Sequence, residues 1–103
     1  MNINPLELIN QMNMVQEKLA NISETGSAGG GMVEVELNGK FEMISVKISP
    51  EAAEGGDTEM LQDLVIAAYS NGLEKIRETI NREMGALAGT LNIPGLSGLM
   101  GNL

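Results

Sequence analysis

Apolar residues recur near the start of the chain at alternating intervals of four and three, at Leu8, Met12, Val15, Leu19 and Ile22. That spacing predicts a single stripe along a helix of about four turns. Asn10, Gln11, Asn13, Gln16, Glu17, Lys18 and Asn21 fall on its other faces. Asn4-Pro5 supplies the start: an Asn cap, then a proline at the first helical position, where its missing N–H costs nothing. Such a stripe suits two covers, the chain's own sheet or a second copy. From Ser23 to Gly31 the helical pattern stops. Val33, Val35 and Leu37 then alternate with Glu34 and Glu36, as in a half-buried strand. Asn38-Gly39 predicts a two-residue type I′ hairpin, with a return strand over 40–48. The apolar phase of that strand slips between Met43 and Ile44, as a bulge would make it do. A short third strand over 23–27 completes a small sheet.

Ser49-Pro50 ends the sheet, and Glu51 to Thr58 reads as an acidic loop. Asp57 or Thr58 then caps a second, long helix. Leu61, Leu64, Val65, Ala68, Gly72, Leu73, Ile76, Ile80 and Met84 (or Leu87) lie on one stripe. The helix is expected to run about 27 residues against a mean of ~11–12, so it overhangs its own sheet or packs on another subunit. No charge follows Glu83, and "GALAGTLNIPGLSGLMGNL" reads as a flexible tail or as an apolar arm across a dimer. The expected organisation is one α+β domain over 1–90 and a Gly/Leu-rich tail over 91–103.

Composition narrows the function. A chain of 103 residues buries a modest core, so oligomerisation is a way to complete it. Phe41 and Tyr69 are the only aromatics and there are eight Met, so core and interfaces are aliphatic and adaptable. There is no Cys and no His, which removes thiol chemistry and the commonest general base and metal ligand. The glycine run after Gly26 follows a helix and precedes a strand. A phosphate-cradling loop has the opposite order, so these glycines are expected to form a turn. The acidic stretches lack the order of a calcium loop. The expectation is therefore a non-enzyme with no small-molecule substrate. No signal-peptide pattern opens the chain, and the longest apolar run, Leu64 to Tyr69, is too short for a membrane span. A cytoplasmic protein without a membrane role is expected.

Six Lys and Arg stand against fourteen Asp and Glu, a net charge of −8. That is the wrong sign for a protein held on nucleic acid by total charge. A DNA site would have to be a local basic patch on an acidic body. The basic residues are Lys18, Lys40, Lys47, Lys75, Arg77 and Arg82. Lys75 and Arg82, seven apart, share a face of the long helix, and Arg77 lies to one side. The simplest reading pairs them with Glu74, Glu78 and Glu83.

Taken in order, "MNMVQEKLANI", "GSAGGGMVEVELNGK", "VKISPE", "EMLQDLVIAAYSNGLEKI" and "LNIPGL" span nearly the whole chain. In combination they resemble the YbaB/EbfC family of bacterial nucleoid-associated DNA-binding proteins. The resemblance implies an α-β-β-β-α subunit in a tight homodimer, with long helices projecting like the arms of tweezers. It implies duplex DNA lying against those arms, a nucleoid location, no cofactor and no catalysis. The expected DNA contacts are Lys18, Lys75, Arg77 and Arg82; the resemblance puts Lys75 at a commonly basic position of the second helix and Arg77 and Arg82 in a charged but variable stretch. The dimer would bury Leu8, Met12, Val15, Leu19, Leu64, Ala68 and Ile76. The sequence departs from the family in its first helix, where "INPLELINQMNMVQ" holds no Lys. The alternative is a protein–protein adaptor of the same fold, using the acidic sheet face and the Gly/Leu tail.

Overall fold

Asn4 caps the first helix as expected: its side chain accepts a hydrogen bond from the Leu6 N–H at 3.0 Å, and Pro5 is the first helical residue. In this computed structural model, which describes residues 4–91, α1 runs Pro5–Asn21. Ile22 turns the chain into an extended conformation. Three strands follow, β1 (Ser23–Ala28), β2 (Val33–Asn38) and β3 (Met43–Ile48). A short α2 (Pro50–Glu54) and a long α3 (Thr58–Leu91) complete the order. This is the α-β-β-β-α arrangement of the α+β expectation, with one helical turn added before the last helix.

The sheet is antiparallel in the order β1-β2-β3. Gly29, Gly30 and Gly31, at φ 65, 67 and 93°, carry the chain between β1 and β2. That left-handed backbone suits glycine and few other residues, so the run is a turn. The second hairpin differs from the two-residue turn predicted for Asn38-Gly39. Its loop has three residues, closed by Phe41 N–H to Asn38 O at 3.0 Å and Asn38 N–H to Glu42 O at 3.1 Å. The left-handed position falls on Phe41, at φ 63°. Gly39 serves another purpose. Its N–H donates to the Leu19 and Ile22 carbonyls at 2.9 and 3.0 Å, and a Cβ there would lie 3.0 Å from the Leu19 carbonyl carbon. The Asn38 Oδ1 meanwhile holds the wider loop by accepting from Lys40 and Glu42 N–H. Beyond the turn Leu37 pairs with Met43 but Glu36 with Ser45, so Ile44 is the extra residue of the expected bulge.

Two expectations fail in the second half of the chain. The acidic loop over 51–58 contains α2. Ser49 Oγ accepts from Ala52 N–H at 3.2 Å and Pro50 follows it, the same cap-then-proline start as α1. The long helix has 34 residues, not about 27, and carries "GALAGTL" in its last turns. Asp57 is its cap, accepting from Met60 N–H at 2.9 Å. The tail expected over 91–103 lies, from residue 92 on, outside the described residues.

The core forms where α3 crosses β1 and β2. Val33, Val35 and Leu37 are fully buried beneath Ala68, Ile76, Ile80 and Met84. Each of the larger side chains contributes about 1.5–3 kcal/mol on burial. At the crossing Gly26 meets Gly72 backbone to backbone; a Cβ on Gly72 would lie 3.2 Å from both Gly26 N and Leu37 Cδ1. On α1, Val15 and Leu19 pack against this core, but no residue of the helix is fully buried.

Candidate nucleic-acid interface

One line of polar residues along α3 organises the basic side of the subunit. Asn71, Lys75, Thr79 and Glu83 are spaced by four and share a ridge. Each finds a partner on the elements beneath. Asn71 Oδ1 accepts from Ser27 N–H at 3.1 Å, and Lys75 Nζ donates to Thr25 O at 3.2 Å. Thr79 Oγ1 donates to Glu24 Oε1 at 2.7 Å, and Glu83 Oε2 pairs with Lys18 Nζ at 3.1 Å. The first two contacts satisfy outward-facing backbone groups of β1, an edge strand, and so cap that edge against further pairing. The fourth ties the end of α1 to α3.

Of the predicted DNA-contacting residues, Lys18, Lys75 and Arg82 lie along this ridge. Lys75 is bonded to a neutral carbonyl and keeps its charge uncompensated there. Arg82 Nη2 donates to Thr79 Oγ1 at 3.4 Å. Lys18 and Arg82 line one open groove of about 360 Å³, together with Glu24, Thr79 and Glu83. Arg77 does not join them. It lines a separate groove with Leu73, Glu74 and Glu78. The ridge itself is a pattern the sequence holds in plain view: a polar residue every four positions beside the apolar stripe. Its partners Glu24, Thr25 and Ser27 carry no such signal, because they are set by how β1 runs under α3.

The residues assigned to a dimer interface divide in two. Ala68 and Ile76 are wholly enclosed in the subunit's own core, and Leu64 packs against it. Leu8 and Met12 remain about half exposed, 46% and 54%. A second uncovered apolar surface lies on the sheet. Val46 pairs with Val35 and Ile48 with Val33, which places them on the same face as the core. Yet each is 43% exposed, because α3 covers β1 and β2 and leaves β3 bare. Met43 and Ile44 of β3 are exposed too, and on α3 Ile66 is 65% exposed.

Among the described residues no group of three or more acidic, His or Cys side chains is placed to hold a metal ion. None of their helices is long and apolar enough to cross a membrane.

The model of the YbaB/EbfC DNA-binding family matches residues 6–91. The chain belongs to this family. A nucleoid-associated protein of Syntrophobacter fumaroxidans is 46% identical over 97 residues, covering 90% of this chain and 88% of that protein. One from Desulforamulus reducens is 50% identical over 80 residues, 78% of this chain and 76% of the relative. The crystal structure of an uncharacterized Helicobacter pylori protein is similar with a TM-score of 0.59 at 29% identity, covering 78% of this chain and 90% of that one. The YbaB/EbfC match thus spans both helices that carry the basic ridge and all three strands.

Proposed function

We propose that this YbaB/EbfC protein binds duplex DNA as a homodimer in the nucleoid of the cytoplasm, in an architectural or modest regulatory role. The observation that carries the reading is the convergence of Lys18, Lys75 and Arg82 on one side of the subunit. On an acidic chain this is the local basic track that phosphate contact requires. The names of the relatives point the same way. Arg77 takes a lesser part, because it projects from another side of α3.

The homodimer rests on the uncovered half of the sheet. Met43, Ile44, Val46 and Ile48 on β3, and Leu61, Val65 and Ile66 grouped on α3, are the apolar positions a second copy would bury. Leu8, Met12, Val15 and Leu19 contribute from α1. Ala68 and Ile76 have no surface left to offer. Two subunits would present two copies of the basic ridge to one duplex.

The test is an anisotropy titration of labelled random duplex DNA at two salt concentrations, with wild type beside Lys75→Glu/Arg82→Glu. Wild-type binding should weaken as salt rises and be lost in the double variant. A folded wild-type protein that binds no duplex at low salt would sink the reading.

A further inference from the structure

Resting on the DNA-binding reading, we infer that Glu83 and Glu24 are built-in competitors of phosphate, which hold affinity for DNA below what the basic ridge alone would give. The carboxylate of Glu83 occupies the Lys18 ammonium at 3.1 Å. Glu24 reaches Arg82 through one hydroxyl. Thr79 gives its single proton to Glu24 at 2.7 Å and accepts from the Arg82 guanidinium at 3.4 Å with a lone pair. Both chains of contact line the same open groove. The first neutralises Lys18 directly and the second links Glu24 to Arg82 through a neutral hydroxyl, whereas Lys75 meets only a carbonyl.

The side chains of Lys18 and Glu83 are 43% and 36% exposed. Water reaches the pair, so a phosphate oxygen can replace the carboxylate without opening the core. Binding is then an exchange. As phosphate arrives, Glu83 is released and gathers solvent cations. That uptake offsets part of the counterion release from DNA and flattens the salt dependence. Replacing Glu83 by its neutral isostere leaves Lys18 free before DNA arrives, and the exchange cost disappears.

The experiment compares wild type, Glu83→Gln, Glu24→Gln and Glu54→Gln on the same labelled duplex across a salt series. Glu54 is an exposed α2 residue, and its substitution changes net charge by the same amount away from the ridge. Glu83→Gln should tighten binding about two- to fivefold for each subunit engaged, the worth of an exposed ion pair, and steepen the salt dependence. Glu24→Gln should shift both in the same direction by less, because its contact is indirect. It also serves as the test should Glu83→Gln fail to match the wild-type melting curve. In a Lys18→Met background the gain from Glu83→Gln should fall to that of Glu54→Gln. Unchanged or weaker binding by folded Glu83→Gln, or a gain no larger than that of Glu54→Gln, overturns the inference while leaving DNA binding in place. If neither wild type nor any variant binds at low salt, the functional reading falls and this inference with it.

Discussion

Gly26 and Gly85 show how little a residue's identity says without its surroundings. Gly26 lies on the crossing of β1 with α3, where an added Cβ would meet the backbone of Ala68 and Gly72. Neither neighbour can move without lifting the helix from the sheet. Gly26→Ala should therefore cost about 3 kcal/mol, at the upper end of overpacking penalties. Gly85 sits on an exposed stretch of α3 with no atom near its missing side chain. There Ala should stabilise by about 0.5–1 kcal/mol, the helical penalty of glycine removed. Urea unfolding of the two variants reads both signs at once, and equal effects would refute the crossing argument. Individual contacts were also the least legible part of the sequence. The spacing of Lys75 and Arg82 on one face could be read from helical geometry, as could Arg77's divergence. Lys18 meeting Glu83 could not, since it depends on how α1 returns alongside α3.

At the scale of elements, the hydrophobic pattern was informative about where helices and strands lie and weaker about where they stop. Helix α1, the alternation of β2 and the bulge of β3 stand in the structure where the pattern predicts, except that Ile22, the last residue of the α1 stripe, lies beyond the helix end. The end of α3 was obscured because charge disappears after Glu83 while Gly85 and Gly89 lower helical propensity. Met84 and Ala88 nevertheless stay buried, and tertiary packing carries the helix on. The turn at Asn38-Gly39 was misread because its glycine answers to a neighbouring helix, not to its own φ. The exposure of β3 has a direct consequence. Val46→Asp changes a residue that is 43% exposed in the lone subunit, so the fold should survive. If this face is the dimer interface, the charge should weaken association at least tenfold, ~1.4 kcal/mol, and sedimentation should show monomer at concentrations where wild type is dimeric. A Val46→Asp protein that sediments as wild type does would move the interface elsewhere.

The whole subunit is slender, 62 × 22 × 17 Å, and much of its apolar surface faces outward. A domain this small gains little from its own core, and covering β3 with a second copy would supply the remainder. Its unfolding should then depend on concentration, with the melting temperature rising as protein is concentrated, because association acts only on the folded chain. Calorimetry over a hundredfold dilution would show it; a constant melting temperature would mark the subunit as self-sufficient. Net charge works at this scale too. An excess of eight negative charges disfavours DNA over most of the surface, so the proposed contact depends on a local basic ridge.

The side-chain caps on β1 carry one more implication. With Asn71 and Lys75 occupying that border, the sheet is left with a single border, β3, available for extension. An assembly that grows through one border can join only like to like, about a two-fold axis, and the join consumes both growing points. Any pairing through the sheet is thereby self-terminating. However many copies gather in one place, this border cannot thread them into a fibre.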